Sequence, residues 1–242
     1  MSASLKNQVA LVIGASSGIG RATAVLLARA GARVMASARR EERLLTLRAE
    51  CAAEGHPLEI SAADARNPED MDRLAQATRE QLGPIDILVY ATGTNTPDRA
   101  FTKLRPPIWR ELVETNLDGA YYAAQAVLPA MRERASGHLV FIASISGHTP
   151  DISGAAYQAS KRGMIGLAHA IRFEEKQHGI RTTVINPGLV DTEILAKRPV
   201  MPPPEQLRVA LLPEHVAEAV MACLAMPPRA VITEMTLMPS AM

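Results

Sequence analysis

The sequence predicts an α/β fold in which one doubly wound parallel sheet carries helices on both faces. Short apolar runs of strand length alternate with longer segments of helical spacing along the whole 242-residue chain. The first run, residues 9–13, is fully apolar and rich in β-branched side chains, as expected for a strand buried on both faces. Right-handed crossovers between such strands place helices on both faces, and no linker divides the chain. We therefore expect a single domain over residues 1–242.

The composition is that of a globular protein with an aliphatic core. Hydrophobic residues make up 48% of the chain and aromatic residues only 3%. The 26 Lys and Arg residues and 25 Asp and Glu residues are interspersed without a basic stripe, which argues against a nucleic-acid partner. Cys51 and Cys223 form no CxxC motif or Cys/His cluster, so no metal site is expected. The sequence shows no leader and no apolar run of about 20 residues, which predicts a cytoplasmic protein without a membrane partner.

A glycine-rich turn joins the first strand to the first helix. Gly14, Gly18 and Gly20 follow the strand directly, and residues 21–30 have helical spacing that stops at Gly31. Such a junction lets backbone N–H groups and the positive end of a helix approach a phosphate. The turn therefore indicates a dinucleotide site.

The same segment also fits the G-x-S-x-G elbow of serine hydrolases, with Ser16 as the nucleophile. That elbow follows several earlier strands and takes oxyanion donors from an upstream loop, whereas only 13 residues precede Gly14. A Walker phosphate loop requires Gly-Lys-Ser/Thr, whereas Gly20 is followed by Arg21 and Ala22. The hydrolase is therefore the weaker alternative.

The end of the second strand, residues 33–37, indicates which dinucleotide is bound. In dinucleotide folds an acidic residue at this place binds the ribose 2′-hydroxyl of NAD, whereas arginine accommodates the 2′-phosphate of NADP. Residues 33–40 contain no Asp or Glu, and Arg39 and Arg40 follow the strand. The sequence thus favours NADP(H) over NAD(H). The alternative is that two solvated arginines open the helix that ends near Glu54.

The alternation continues through the rest of the chain. Further strands are predicted at residues 57–62, 85–90, 139–143, 182–185 and 231–237. Further helices are predicted at residues 68–82, 108–134, 154–177 and 214–226. Asn67 and Gly83 suit the N-cap and the stop of the first of these helices. Residues 94–107 and 189–213 are proline-rich loops, and we expect the second to cross over the site.

Asn116 lies in the middle of the helix predicted over residues 108–134. Asparagine is unfavourable there because its side chain competes for backbone hydrogen bonds. The position therefore indicates either a local irregularity or a functional contact, with a simple exposed asparagine as the alternative.

Tyr157 and Lys161 lie four residues apart in a predicted helix, so their side chains share a face. Free tyrosine has a pKa of about 10. An ammonium about 4 Å from the phenolate would stabilise it by roughly 4 kcal/mol, or about three pKa units. The pair is then suited to general acid/base chemistry. Ser144 ends the fifth strand, where open α/β sheets bind their ligands. Taken alone, the pair also fits a Tyr and a Lys on an exposed helix face.

Together these motifs resemble the short-chain dehydrogenase/reductase family. The glycine turn, Asp64, Asn116, Ser144, the Tyr157/Lys161 pair and Asn186-Pro187-Gly188 occur in the family's order and spacing over essentially the whole chain. The resemblance implies a Rossmann-type seven-stranded sheet and a small-molecule carbonyl or alcohol substrate. It also implies a homodimer or homotetramer.

The resemblance implies a role for each motif. Tyr157 would protonate the carbonyl oxygen, Lys161 would lower the tyrosine pKa and bind the nicotinamide ribose, and Ser144 would hold the substrate oxygen. Asn116 would support a water-mediated proton path to Lys161. The residues implied to contact the cofactor, besides Tyr157 and Lys161, are Gly14, Ser16, Ser17, Gly18, Ile19, Gly20, Arg39, Arg40, Asp64, Gly93, Pro187, Gly188, Val190 and Thr192.

One segment departs from the family, which commonly has Asn-Asn-Ala-Gly where this chain has Tyr90-Ala91-Thr92-Gly93. Both asparagines are replaced and Gly93 remains. Because this segment mainly buttresses the sheet along the adenosine side of the cofactor, we expect the change to affect cofactor affinity and local stability.

The sequence thus predicts an NADP(H)-dependent oxidoreductase. A dinucleotide-binding regulatory or scaffold protein on the same fold is the alternative, although it would not need Ser144, Tyr157 and Lys161 together. Arg99 and Asp151, with His148, are candidate contacts for a polar substrate, but solvated loop residues are the favoured interpretation for each. The substrate side is expected to be lined by residues 94–105, 146–153 and 189–212.

Overall fold

A computed structural model describes residues 5–241, so residues 1–4 and 242 of the predicted domain lie outside the described part. The strands are β1 Val9–Ile13, β2 Arg33–Ala38, β3 Glu59–Ala62, β4 Ile87–Tyr90, β5 Gly137–Ile142, β6 Ile180–Pro187 and β7 Glu234–Leu237. The helices are α1 Gly18–Arg29, α2 Glu41–Ala53, α3 Pro68–Leu82, α4 Pro106–Val113, α5 Gly119–Glu133, α6 Ala155–Glu175, α7 Pro204–Val209 and α8 Pro213–Leu224.

The seven strands form one parallel sheet in the order β3-β2-β1-β4-β5-β6-β7. The chain builds outward from β1 to β3, then returns to β4 and builds outward in the opposite direction. The order therefore reverses between β1 and β4, and in open α/β sheets a crevice forms outside the strand ends at this point. The predicted doubly wound seven-stranded parallel sheet is confirmed.

The sheet separates two aliphatic cores. Successive residues of β1 point to opposite faces, so Ala10 and Val12 join one core while Val9, Leu11 and Ile13 join the other. The first core is completed by α1, α2 and α8, and the second by α3, α5 and α6. This two-sided burial explains why β1 has no polar residue.

The long helix predicted over residues 108–134 is interrupted. Between α4 and α5 the chain forms a π-helical segment, Glu114–Asp118, with Asn116 at its centre. Asn116 is fully buried, and its side chain accepts a 2.7 Å hydrogen bond from the N–H of Thr94 and donates to the Thr94 carbonyl. The predicted irregularity is confirmed and the exposed alternative is wrong, because this amide bonds to another segment of the backbone.

The other predicted elements agree with the structure apart from small shifts in their ends and short helical turns within one predicted loop. Asn67 caps α3 by accepting from the N–H groups of Glu69 and Asp70, and Gly83 ends that helix, as predicted. The predicted loop at residues 189–213 contains α7 and a 3-10 turn, Glu193–Lys197.

Within residues 5–241, no helix combines the length and apolar character needed to cross a bilayer.

Candidate active site

A cleft of about 630 Å³ runs along the edge where the strands end, at the reversal of strand order. Sixteen of the eighteen residues predicted for the site line this cleft. They are Gly14, Ser16, Ser17, Gly18, Ile19, Arg39, Arg40, Asp64, Gly93, Ser144, Tyr157, Lys161, Pro187, Gly188, Val190 and Thr192. Gly20 and Asn116 are absent from the lining and lie behind it. The fold thus brings together residues from opposite ends of the chain.

The glycine turn has a shape that only glycine permits at two positions. Gly14 has φ +95°, and a Cβ placed there would lie 2.7 Å from the backbone nitrogen of Thr92. A Cβ at Gly20 would lie 2.3 Å from the carbonyl oxygen of Gly14, so Gly20 allows α1 to start close to the strand. Ser17, the N-cap residue of α1, makes no side-chain cap. The turn and the helix end therefore fit the phosphates of a dinucleotide.

Arginines cluster at the end of β2. The guanidinium of Arg40 donates 3.0 Å hydrogen bonds to the hydroxyls of both Ser16 and Ser17. It also pairs with Glu193, at 3.1 Å, and Arg43 pairs with the same carboxylate. Hydrogen bonding from Arg43, with a smaller contribution from Arg40, lowers the pKa of Glu193. The alternative of purely solvated arginines is wrong for Arg40, because its side chain is built into the phosphate turn.

Two residues of this cluster were missed by the sequence analysis. Arg43 lies three residues after Arg40 at the start of α2, and that helical spacing is a signal that could have found it. Glu193 lies 153 positions from Arg40 in the chain, and no local pattern marks it.

Asp64 lies in the cleft wall after β3. Its carboxylate pairs with Arg66 at 2.6 Å, and hydrogen bonding from Arg66 lowers the pKa of Asp64. The side chain is therefore an ionised acceptor at neutral pH. Its contact with adenine stays a prediction.

The serine-hydrolase alternative lacks a base. Ser16 accepts hydrogen bonds from Arg40, and no histidine is among the residues that line the cleft within the described part of the chain. An elbow serine requires a neighbouring base to become a nucleophile, so the geometry argues against this alternative.

Tyr157 and Ser144 form the polar centre of the other end of the cleft. Burial raises the pKa of Tyr157, and the hydrogen bond with Ser144 opposes that rise. The charges of Arg99 and Arg198 also act to lower this pKa. The phenol is therefore protonated at neutral pH, and the groups that favour its ionisation are Ser144 and two arginines.

Lys161 lies beside Tyr157 but is directed elsewhere. Its ammonium nitrogen lies 5.8 Å from the centroid of the Tyr157 ring and donates a 2.9 Å hydrogen bond to the carbonyl oxygen of Ile142. Burial lowers the pKa of Lys161 to about 7. The sequence analysis expected Lys161 to lower the tyrosine pKa, whereas in the structure this influence comes from the groups named above. A lysine with this pKa exchanges its proton near neutrality.

Asn116 supports the catalytic helix from behind the cleft wall. Its Nδ2 donates a 3.0 Å hydrogen bond to the hydroxyl of Ser160, and that hydroxyl donates to the carbonyl of Tyr157. Gly93 leaves space for the lysine, since a Cβ there would lie 3.4 Å from the Lys161 ammonium. Asn116 thus joins the π-helical segment to α6 next to Tyr157 and Lys161.

A polar chain that the sequence analysis missed leads away from Ser144. The Ser144 hydroxyl donates to Ser146 at 3.2 Å, and Ser146 donates to the carboxylate of Asp151 at 2.6 Å. Ser146 lies two residues after Ser144 and four beyond the end of β5, a spacing that alone predicts nothing. His148 does not line the cleft and pairs with Glu234 instead.

Arg99 overturns the interpretation of a solvated loop residue. It lines the cleft and is only 7% exposed. Its Nε donates to the carbonyl of Thr96, and its Nη2 donates a 2.6 Å hydrogen bond to the carbonyl of Lys197. The sequence predicts a loop over residues 94–107, and contact between this loop and the segment after β6 buries the Arg99 side chain.

Tyr90 explains how the chain tolerates the loss of the family's first asparagine. The phenol is fully buried and donates a 2.7 Å hydrogen bond to the carbonyl of Thr115 in the π-helical segment. Gly119 provides the space, since a Cβ there would lie 2.3 Å from the Tyr90 hydroxyl. The tyrosine therefore buttresses the element that carries Asn116.

The fold and the cleft place the protein in the class of open parallel α/β sheets, which bind their ligands outside the carboxyl ends of the strands. A family model described as short chain dehydrogenase matches residues 8–201. An uncharacterised oxidoreductase of Staphylococcus aureus is 34% identical over 235 residues, which cover 97% of this chain and 98% of the relative. The chain belongs to the short-chain dehydrogenase/reductase family.

Solved structures agree with this assignment. A metagenomic short-chain oxidoreductase in complex with NADP is 33% identical, with a TM-score of 0.85 over 98% of this chain and 99% of that one. An actinorhodin polyketide ketoreductase with NADPH is 32% identical, with a TM-score of 0.88 over 99% and 98% of the two chains. This chain is therefore similar in sequence and fold to enzymes solved with NADP or NADPH.

Proposed function

We propose that this protein is an NADP(H)-dependent oxidoreductase that moves a hydride between the nicotinamide and a carbonyl or secondary alcohol carbon, with Tyr157 as the general acid/base. The observation that carries the proposal is the meeting of the Tyr157 phenol and the Ser144 hydroxyl in the cleft that also contains the phosphate turn. A protein that only binds a dinucleotide would not require this contact between a phenol and a hydroxyl group in the cleft.

The side chains supply the proton chemistry. The bound dinucleotide supplies or accepts the hydride. Ser144 holds the substrate oxygen by a hydrogen bond, and Tyr157 donates its proton to that oxygen during reduction. Because burial raises the pKa of Tyr157, the phenol is in its proton-donating form at neutral pH. The opposite direction requires the phenolate, which the positive charges of Arg99 and Arg198 favour.

Lys161 and Asn116 support the Tyr157 phenol in different ways, the first by supplying a proton and the second by positioning the backbone. With a pKa lowered to about 7, Lys161 gains and loses its proton near neutrality and is suited to restore the proton that Tyr157 gives up. Asn116 positions the backbone of Tyr157 through Ser160. Both side chains are buried, with Lys161 in the wall of the cleft and Asn116 behind it.

The preference for NADP(H) over NAD(H) belongs to this proposal. Arg39 and Arg40 line the cleft after β2, where a 2′-phosphate would lie, and Arg43 is close enough to share a carboxylate with Arg40. Arginine binds phosphate well through its planar fork of donors. The two solved relatives described above contain NADP or NADPH.

The test is a Tyr157→Phe variant assayed with NADPH and NADH side by side. We expect it to bind NADPH as the wild type does, measured by calorimetry, and to lose turnover of carbonyl substrates by about 100-fold or more. Tyr121→Phe is the matched control, because Tyr121 lies on α5 and is 46% exposed. Full turnover by the Tyr157→Phe variant would contradict the assignment of Tyr157 as the general acid/base. Equal use of NADH and NADPH by the wild type would overturn the NADP preference.

A further inference from the structure

Arg99 is a buried arginine at the substrate end of the cleft. It is 7% exposed, and it lies close enough to Tyr157 for each group to affect the ionisation of the other. Its backbone packs on Gly154, the N-cap residue of α6, where a Cβ would lie 2.6 Å from the Arg99 carbonyl oxygen. This packing places Arg99 beside the helix that carries Tyr157, and hydrogen bonds to the carbonyls of Thr96 and Lys197 hold its guanidinium.

The charge of Arg99 has no carboxylate partner in the described chain. Other arginines of this protein do have one: Arg132 pairs with Glu175, and Arg134 pairs with Asp86. Arg99 forms no ion pair within 4.0 Å among residues 5–241, and its two side-chain hydrogen bonds go to neutral carbonyl groups. A buried charge is costly unless an opposite charge compensates it.

Burial lowers the pKa of Arg99, and the charge of Arg198 adds to this effect. Asp151 is the carboxylate that opposes them. Its two oxygens accept hydrogen bonds from the Ser146 hydroxyl and the Ser153 N–H, and within residues 5–241 it forms no ion pair with Arg99.

Two more cations lie at the same end of the cleft. Lys197 and Arg198 both line it, and the ammonium of Lys197 donates to the Thr94 hydroxyl. With Arg99 they place three positive charges against the single carboxylate of Asp151 at this end. The environment of Tyr157 is therefore positive, which suits a ligand that brings a negative charge.

We propose that the substrate is a carbonyl or hydroxy compound that bears a carboxylate, and that Arg99 binds this carboxylate while Tyr157 and Ser144 hold the reacting oxygen. Within residues 5–241 the Nη1 of Arg99 makes no hydrogen bond, so the guanidinium keeps donors for a ligand after tying its own loop to Lys197. This inference names the substrate class of the proposed oxidoreductase and rests on that proposal.

The test compares acids with their neutral esters. Pyruvate, acetoacetate and succinic semialdehyde are each assayed beside the corresponding methyl ester, with NADPH, in the wild type and in Arg99→Met. We expect the wild type to reduce at least one acid with kcat/KM at least about 30-fold above its ester, the factor expected for losing one partner of a buried charge pair. In Arg99→Met the ratio should fall to about one, and Arg99→Lys should keep part of it, because lysine keeps the charge without the planar fork.

Lys103→Met is the matched control. Lys103 is an exposed cation of the same loop that does not line the cleft, and its loss should leave the acid-to-ester ratio unchanged. If Arg99→Met lowers the turnover of acid and ester equally, Arg99 serves only to hold its loop against the segment that contains Lys197, and the inference is wrong. Equal use of acids and esters by the wild type also overturns it.

A binding measurement separates this inference from the proposed function. Calorimetry with the Tyr157→Phe variant loaded with NADP⁺ should show binding of an acid that the added Arg99→Met change abolishes. Binding of acids without any turnover in the wild type would leave the carboxylate site standing and contradict the oxidoreductase. Turnover of esters with no binding of acids would support the oxidoreductase and contradict the carboxylate site. The absence of both binding and turnover of acids would also overturn the carboxylate site.

Discussion

The phenol of Tyr90 donates a hydrogen bond to the carbonyl oxygen of Thr115, across 2.7 Å, and so joins the end of β4 to the π-helical segment. The segment in turn presents Asn116 to Thr94 and Ser160. A tyrosine at a position where the family commonly has asparagine therefore supports the site from the centre of the sheet.

Tyr90→Phe should destabilise the protein while leaving its fold intact. The change removes the donor from a buried carbonyl group, which costs about 1–3 kcal/mol in the free energy of unfolding. Urea unfolding measures the effect, and Tyr121→Phe on the exposed face of α5 should change the free energy by less than about 0.5 kcal/mol. Equal stability of the two variants would show that the Tyr90–Thr115 bond contributes nothing.

Glu193→Gln should tighten the binding of NADP⁺. Glu193 neutralises Arg40 and Arg43, which we propose as the 2′-phosphate site, so the carboxylate competes with the phosphate. The side chain of Glu193 is 53% exposed, and exposed pairs are worth about 0.2–1 kcal/mol each. Removing both pairs, about 0.4–2 kcal/mol in total, therefore predicts a gain in affinity of roughly two- to thirty-fold.

Calorimetric titration with NADP⁺ and with NAD⁺ measures this gain without turnover. The affinity for NAD⁺, which lacks the 2′-phosphate, should stay unchanged. Glu205→Gln is the control, because Glu205 is exposed on α7 and does not line the cleft. An equal gain for both dinucleotides would contradict a 2′-phosphate site at Arg40 and Arg43.

Lys161 should make the stability of the protein rise with pH above neutrality. Burial lowers its pKa to about 7 in the folded state, whereas an unfolded lysine keeps a pKa of about 10.4. Between these values the unfolded chain binds more protons, so the free energy of unfolding rises with pH, by up to about 1.4 kcal/mol per pH unit. Below pH 7 both states are protonated and the cost of burying the charge is fully present.

The measurement is urea unfolding at intervals from about pH 7 to pH 8.5 in the wild type and in Lys161→Met. The unfolded cysteines begin to titrate in this range, and the comparison removes their effect because both proteins contain the same two cysteines. The wild type should gain stability across this window, and Lys161→Met should lose most of that slope. A slope that is the same in both proteins would show that Lys161 is not a buried cation with a lowered pKa.

The architecture followed from the sequence because its signals are local. The apolar run of β1, the glycine turn and the spacing of Tyr157 and Lys161 are each contained in a few consecutive residues. Parallel strands place their C-terminal ends at one edge, so the positions of Ser144 and Gly14 at strand ends were enough to predict a shared cleft. The interruption at Asn116 could be predicted for the same reason, since an asparagine inside a helix is a local conflict.

The sequence by itself determined the seven-stranded sheet, the phosphate turn and the residues that meet at its edge. Only the tertiary structure decided that Arg99 is buried, that Glu193 reaches Arg40, and that the Lys161 ammonium points to the Ile142 carbonyl. The physical reason is that burial and ion pairing depend on which distant segments pack together. Arg99 and Lys197, 98 positions apart, are polar residues of two proline-rich loops whose contact no local periodicity encodes.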